Sequence, residues 1–538
     1  MAMAGGRVEG AAYTGPGAVS RAVRAVDGGG WPEGDRVDGG PVGRRAEPGK
    51  YAMNRTGVDR GFRRFHLVLV GLVPLWLGTA AVVHCAASEA TGQGVAEQPA
   101  GWRHLREHAY LPADFDQEVF DDLWTTWEEP SRSRAEAADT AERRRMAMDR
   151  YGLVPDPADP SRSLQYVVDD AGRWTMSCLA CHQGTVAGKA VPGVPNTRYA
   201  LETLTEEVRQ VKIRQGKPLG HMDLGSLVMP LGTTVGTTNS VMFGVALMRH
   251  RDPDLTIVPR PPRFDLAHHD VDAPAWWHYA TRKRLYADAF APKGHRVLMQ
   301  FILVKENGPE RFREWEGEFR DIESWLSSLE PPAWEGAVDT GLADRGRGLF
   351  REHCSHCHGT YDGPRGGPGR SYPERIVPID EIRTDRVRFD ALTVNDRRAL
   401  NVSWFEERSA VDGIDDPAGY VAPPLDGVWA SAPYFHNGSV PTLWHVLHPE
   451  KRPRAWRRLD APGTLAAEAG TPPPDYDADR VGLAVEERDA VPEGRLPAIV
   501  RRTWFDTTKP GKGAAGHEFF GDLDDDGRRA LLEYLKTL

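Results

Sequence analysis

The sequence predicts a mostly α-helical protein of two domains with long irregular insertions. The first observation is a repeated pattern, because four of the five cysteines fall in two copies of C-x-x-C-H. The second is a short amphipathic pattern that ends the segment after each copy, with apolar residues at helical spacing. The third is the composition, because 56 glycines and 42 prolines among 538 residues indicate long loops.

Length and charge limit the class of protein. A chain of 538 residues is long enough for roughly two or three domains with their own cores. The net charge is −10 at pH 7, and no basic stripe runs along any segment. Nucleic acid is therefore not expected to be a partner.

The N-terminal segment has the pattern of an export signal. We expect residues 1–52, rich in Gly, Ala and Arg, to be disordered, and translation to begin at Met53. A basic stretch then leads into an apolar run at residues 67–83, so residues 53–88 are predicted to be a signal peptide. The alternatives are an uncleaved membrane anchor and a lipid on Cys85. Each of the three exports the chain to the periplasm or the extracellular space.

The two cysteine patterns are the strongest chemical signal in the sequence. The first CxxCH motif comprises Cys178, Cys181 and His182, and the second comprises Cys354, Cys357 and His358. A disulfide, a redox dithiol or half a zinc site would explain paired cysteines, but none explains the histidine that follows both pairs. Two thiols at this spacing can reach the two vinyl groups of a porphyrin while the next imidazole turns onto the iron. We therefore predict two covalently bound c-type haems, with the cysteines as thioether anchors and the histidines as iron ligands.

The flanking residues indicate how each haem segment is built. Gly346 and Phe350 precede Cys354 in the pattern G-x-x-x-F-x-x-x-C, which resembles the first helix of class I cytochromes c. Two segments share one apolar spacing. The first contains Ile322, Trp325, Leu326 and Leu329, and the second contains Leu531, Tyr534, Leu535 and Leu538. The acidic run before the second of these helices predicts an N-terminal cap. We therefore predict two class I cytochrome-c-like haem domains, residues 89–333 and 334–538, with long loop insertions.

The ligand on the far side of each iron decides between catalyst and carrier. The last methionine is Met299, so a histidine is the expected ligand for the second haem, and the candidates are His436, His445, His448 and His517. No histidine lies between His182 and His221. For the first haem the candidates are His221, Met222, Met229, Met242 and Met248, although such methionines are more often core residues. An open first iron is the alternative, and peroxide or dioxygen would bind there.

Several segments resemble one known family in the same order along the chain. They include Trp174–Thr197, Asp272–Tyr286 with its "DAPAWW", and Pro423–Leu447 with its "PYFHNGS". These segments look like those of the bacterial di-haem cytochrome c peroxidase superfamily, which includes MauG-like proteins. They are most similar to its rubber-oxygenase branch, and the resemblance covers roughly residues 100–538.

The resemblance implies roles for four further residues. His517 matches the late histidine that binds the second haem as distal ligand, and His436 is expected near that haem, hydrogen-bonded rather than ligating. Trp276 or Trp277 would lie near the first haem or between the two and relay electrons, unless both are plain core aromatics. The sequence also departs from the peroxidase branch, because no histidine closely follows the first motif and no methionine follows "PYFHNGS". This argues against an ordinary peroxidase with a methionine-ligated haem.

Three functions fit these observations. The first is an oxidoreductase that activates peroxide or dioxygen at the N-terminal haem, while the C-terminal haem relays electrons from an unknown donor or organic substrate. The second is a non-catalytic electron-transfer cytochrome in which both irons carry two axial ligands. The third is a sensor that binds a small gas without turnover. The sixth ligand of the first haem separates the second function from the first.

Overall fold

A computed structural model describes residues 98–261, 265–462 and 473–538. The predictions for residues 1–52 and 53–88, including the signal or anchor and Cys85, lie outside these ranges. All the described residues belong to one compact unit, which contains both CxxCH motifs. Within the described ranges, no helix has the length and apolar character that crossing a membrane requires.

Short helices make up most of the regular structure before the second motif. These are α1 (Ala100–Glu107), α2 (Gln117–Asp122), α3 (Ser131–Ala137), α4 (Thr140–Tyr151), α5 (Leu179–His182), α6 (Leu201–Gln215), α7 (His221–Val228), α8 (Ser240–Met248), α9 (His295–Leu298), α10 (Pro309–Glu314) and α11 (Glu316–Ser328). Local sequence sets their ends. The Asp139 carboxylate accepts a hydrogen bond from the Glu142 amide at the start of α4, and Gly152 ends that helix in the left-handed region.

The remaining helices begin with the one that leads into the second motif, and local sequence again sets where they begin and end. They are α12 (Thr340–His353), α13 (Ser355–His358), α14 (Ile379–Ile382), α15 (Val387–Ala391), α16 (Val394–Asn401), α17 (Leu443–Leu447), α18 (Ala498–Arg502) and α19 (Asp525–Leu535). Short 3-10 turns occur at Leu123–Thr126, Trp276–His278, Met299–Ile302, Val428–Ala430 and Pro449–Lys451. The predicted N-terminal cap of the last helix is confirmed, because the Asp524 carboxylate accepts from the Gly527 amide.

The strands are short and pair only in antiparallel fashion among the described residues. They are β1 (Phe115–Asp116), β2 (Tyr166–Val168), β3 (Arg173–Met176), β4 (Thr185–Val186), β5 (Lys189–Ala190), β6 (Arg284–Leu285), β7 (Ala291–Pro292), β8 (Thr360–Tyr361), β9 (Arg370–Ser371), β10 (Ile376–Pro378), β11 (Gly419–Val421), β12 (Ala455–Arg458), β13 (Tyr476–Asp477), β14 (Gly482–Leu483), β15 (Val485–Arg488) and β16 (Phe505–Asp506). Three-stranded sheets have the orders β1-β3-β2 and β15-β12-β16, and the other strands form two-stranded ribbons. In the first of these sheets, Trp174 lies opposite both Phe115 and Val168. The mostly α-helical prediction agrees with this structure.

Two helix pairs frame the two motifs, and each pair packs closely at a glycine. A Cβ added at Gly346 of α12 would collide with the carbonyl oxygen of Ala530 in α19. A Cβ added at Gly101 of α1 would collide with the carbonyl oxygen of Asp321 in α11. The two helices predicted from their shared apolar spacing are therefore α11 and α19. Helix α11 packs against α1, and α19 packs against α12.

The apolar core extends across residue 333. One buried cluster contains both Leu105 and Phe405, and a second contains both Trp277 and Phe350. The segments that carry the two motifs are therefore packed into each other. The division into domains 89–333 and 334–538 stays a prediction.

The close approach at Gly346 leads to a stability prediction. Alanine at this position forces α12 and α19 apart, so Gly346→Ala should lower the free energy of unfolding by about 1–3 kcal/mol. Gly348 lies on the exposed face of the same helix with nothing near its Cβ position. Gly348→Ala should instead raise the free energy of unfolding by about 0.5–1 kcal/mol. Urea denaturation of both variants measures the difference, and equal destabilisation by the two would refute the close packing.

Candidate haem sites

The first motif lies on a single helical turn that follows β3. Cys178 precedes α5, and His182 is its last residue. The Nδ1 of His182 donates a hydrogen bond to the carbonyl oxygen of Pro274 at 3.1 Å. This bond fixes the ring orientation and leaves Nε2 as the nitrogen that can bind a metal. Burial lowers the pKa of His182 to about 4, so the imidazole stays in the neutral form that a metal requires.

The second motif repeats this arrangement. His358 ends α13, and its Nδ1 donates to the carbonyl oxygen of Pro423 at 2.9 Å. Burial again lowers the pKa of the imidazole. The sequence does not predict the role of these two carbonyl groups, although Pro274 follows Ala273 and Pro423 follows Ala422. The shared Ala-Pro pair was the available signal.

The four cysteines do not support the alternative chemistries. All four are free of disulfides in the described structure. A redox dithiol needs a lowered thiol pKa, but burial raises the pKa of Cys178 to about 11 and that of Cys181 and Cys354 to about 12. Nowhere in the described residues do three or more His, Cys, Asp or Glu side chains form a group that could hold a metal ion.

His517 lies opposite the histidine of the second motif. The ring centres of His358 and His517 are 6.1 Å apart. Two imidazoles on opposite sides of one iron have ring centres roughly 6 Å apart, because metal–nitrogen bonds are about 2 Å long. The backbone amide of His517 donates to the carbonyl oxygen of Ile382 at 2.8 Å, and this bond holds the loop in place. Burial lowers the pKa of His517 to about 3. Three aromatic rings surround its imidazole, those of Phe435, Phe519 and Phe520.

One cavity of about 1220 Å³ connects the two motifs. Its wall includes all six motif residues, together with His436, His517 and Trp276. Pockets for a single small molecule usually measure about 300–1,000 Å³, so this cavity is large for one ligand. Free thiols at the wall, a metal-binding nitrogen left free on each motif histidine, and a second imidazole opposite His358 fit the attachment of haem. The residues present therefore suit the predicted cofactor.

The structure separates the roles of the two adjacent tryptophans. The Trp276 ring stacks on the His182 imidazole with ring centres 4.5 Å apart, and it lines the cavity. Trp277 is fully buried, and its Nε1 donates to the carbonyl oxygen of Asp426 at 2.7 Å. Arg365 donates to the Trp277 carbonyl oxygen. Trp276 is thus the aromatic beside the first motif, and Trp277 joins the segments that carry the two motifs.

His436 also lines the cavity. Its ring packs on Tyr420 with centres 4.3 Å apart, and its carbonyl oxygen accepts from the Asp272 amide. Its Nε2 is buried without a hydrogen-bond partner among the described residues, and the hydrogen-bonded ring expected from the sequence stays a prediction. Burial, helped by the positive charge of Arg388, lowers the pKa of His436 to about 3.

The other candidate ligands fall into those that line the cavity and those that do not. His445 bonds to Thr442, and His448 stacks on Trp444, so neither pairs with His358. His221, Met222 and Met229 line the cavity, whereas Met242 and Met248 lie in an apolar cluster. Among the residues that the structure describes, no second imidazole stands opposite His182 as His517 stands opposite His358.

A buried arginine at the cavity wall was not predicted from the sequence. Arg388 of α15 is 1% exposed, lines the cavity and pairs with the Asp288 carboxylate at 3.1 Å. Arg397 pairs with the same carboxylate at 3.0 Å. A buried cation at this place suits an anionic group such as a haem propionate. One arginine within the 67 basic residues of the chain carries no signal of its own.

Comparison with known proteins bears on this region directly. Residues 419–457 match the family described as RoxA-like, cytochrome c-like. The chain carries a cytochrome c-like domain. The matched segment contains His436 and runs from β11 through α17 to β12. This match supports a link to the cytochrome c family, while the di-haem peroxidase and MauG relationship stays a prediction.

Two uncharacterised proteins of Sinorhizobium fredii (strain NBRC 101917 / NGR234) are also similar to this chain. One, y4iJ, is 27% identical over an alignment of 277 positions, and the match covers 40% of this chain and 42% of y4iJ. The other, y4iM, is 29% identical over an alignment of 256 positions, and the match covers 40% of this chain and 53% of y4iM. The chain thus spans about half the length of the curated relatives that it matches.

Proposed function

We propose that this protein is an exported di-haem c-type cytochrome with oxidoreductase activity. The haem at the first CxxCH motif, here the first haem, takes peroxide or dioxygen as oxidant. The haem at the second CxxCH motif, the second haem, is ligated by His358 and His517 and relays electrons. The matched cytochrome c-like domain supports a haem oxidoreductase, and the signal-like pattern of residues 53–88 supports export to the periplasm or the extracellular space.

The difference between the two motif histidines carries this proposal. His358 has an imidazole opposite it at the distance that one iron requires. Among the described residues, no imidazole ring lies at such a distance from His182, whose ring face packs on Trp276. An iron with two histidine ligands has no position for an oxidant, whereas an iron with one histidine does. The geometry thus favours relay at the second motif and chemistry at the first.

The protein groups around the first motif have definable tasks. Haem iron with an open position can bind and reduce peroxide or dioxygen. The Pro274 carbonyl accepts the Nδ1 proton of His182 and so keeps the ring in one tautomer. Val241, Phe243 and Leu247 line the cavity with apolar side chains.

The cavity mouth favours an apolar organic substrate. Leu224 and Val228 of α7 line the cavity, yet these residues are 52% and 74% exposed. Phe301, Ile257 and Leu266 also line it and are exposed. Contiguous exposed apolar side chains usually mark a binding surface. We propose that an apolar organic molecule enters the cavity beside α7.

Low-temperature EPR of the purified protein, with haem quantified alongside, tests the proposed function. The expected result is one high-spin and one low-spin ferric signal at two haems per chain, because only the first iron has an open position. Consumption of peroxide and dioxygen is then measured with and without a reductant. Two low-spin signals that persist on partial reduction would contradict the proposal and favour the non-catalytic electron-transfer cytochrome.

A further inference from the structure

A line of aromatic rings leads from the first motif to the protein surface. The Trp276 ring stacks on His182 with centres 4.5 Å apart and planes 19° apart. The Trp276 ring meets Trp325 edge-on at 5.7 Å, and Trp325 meets Trp102 at 5.3 Å. Each ring therefore contacts the next, and the line begins on the histidine that would bind the first iron.

The rings become more exposed toward the outer end of this line, as a path for electrons to the surface requires. Trp325 in the middle is 7% exposed, whereas Trp102 on α1 is partly exposed. The close approach of Gly101 to the Trp325 Cβ holds α1 against α11 and keeps the two indoles together. The line leaves His182 through Trp276 and ends at the partly exposed ring of Trp102.

Indole rings suit one-electron transfer. Tryptophan loses an electron more readily than phenylalanine, and rings in contact allow an electron to move in short steps. A second aromatic group in the protein lacks this connection, because Trp334 contacts Trp429 and Tyr476 but none of these rings contacts a motif histidine. The line through Trp325 therefore differs from this second group because it begins at His182.

We propose that Trp102 is the outer end of an electron route to the first haem, used by a carrier protein too large to enter the cavity. The inference rests on the proposed function, because it requires a haem at the first CxxCH motif. With hydrogen peroxide as oxidant, each peroxide takes up two electrons and two protons and becomes two water molecules. Two carrier molecules each lose one electron, which passes through Trp102, Trp325 and Trp276 independently of the relay through the second haem, and the protons come from solvent.

Photochemical oxidation of the holoprotein tests the route without peroxide. Both haems are reduced under anaerobic conditions, and tris(bipyridine)ruthenium(III) is generated by a light flash in the presence of a cobalt(III) quencher. Loss of the ferrous absorption of the first haem is followed in time. Trp102→Phe and Trp325→Phe should each slow this oxidation several-fold, and Trp334→Phe should not change it. An unchanged rate in Trp325→Phe, with an unaltered melting temperature, overturns the route, and so does the absence of haem at the first motif.

Steady-state oxidation of two donors tests the partner. Ferrocytochrome c is a carrier protein that cannot enter the cavity, and hydroquinone is small enough to enter it. With peroxide present, Trp102→Phe should lose several-fold in kcat/KM for ferrocytochrome c and keep the wild-type value for hydroquinone. Equal values for wild type and variant with ferrocytochrome c overturn the carrier site. If the wild-type protein oxidises neither donor, the proposed peroxide activity fails and the photochemical result alone decides the route.

Discussion

Replacing both cysteines of one CxxCH motif with serine should remove one covalently bound haem and leave the other. The variants are Cys178→Ser with Cys181→Ser, and Cys354→Ser with Cys357→Ser. A serine hydroxyl does not form the thioether bond to a porphyrin vinyl group, so the attachment at that motif is lost. Haem per chain, measured as the pyridine haemochrome, should fall by about half in each double variant. The intact mass should fall by the mass of one haem.

Each double variant serves as the control for the other. The His358–His517 pair should keep its low-spin spectrum when the first motif is changed, because that pair includes neither Cys178 nor Cys181. An unchanged haem content in either variant would contradict attachment at that motif. A complete loss of haem in both would show that neither site is filled without the other, which the shared cavity allows.

His517→Ala should convert the second haem from low-spin to high-spin. Alanine removes the imidazole that lies opposite His358, so the second iron keeps one axial ligand and gains an open position. EPR and the optical charge-transfer band measure the change. Added imidazole should fill the vacated space and restore the low-spin signal.

His448→Ala is the matched control for this substitution. His448 is also a largely buried histidine of the C-terminal half, but it stacks on Trp444 and does not line the cavity. Its loss should leave the spin state unchanged. A low-spin second haem in His517→Ala would remove His517 from the ligand set, and His436 would then be the next residue to test.

The sequence predicts the parts of this protein whose chemistry is local. Five consecutive residues specify each CxxCH motif, so the candidate anchors and ligands are named without knowledge of the fold. Helices α11 and α19 were also predictable, because their apolar faces repeat at helical spacing. Even so, the pattern ran past both helices, since Leu329 and Leu538 lie beyond their ends.

Other features depend on contacts that no local pattern encodes. The Pro274 and Pro423 carbonyls orient the motif histidines, but every residue has such an oxygen, and only the fold selects which one accepts. Many of the strands contain two residues, too few for the alternation that identifies a strand. The choice of Trp276 over Trp277 as neighbour of His182 likewise depends on the turn that separates their rings.

The two helix pairs join segments that are far apart in the sequence, and this separation affects the order of folding. His104 of α1 bonds to Asp321 of α11 across 217 residues, and Arg345 of α12 bonds to Asp526 across 181. Closing loops of this length costs conformational entropy before any contact compensates for it, so these contacts form late in folding. Each CxxCH motif lies inside a loop that is still open at that stage. We therefore expect the thiols of both motifs to stay accessible for attachment of a porphyrin until the two helix pairs have formed.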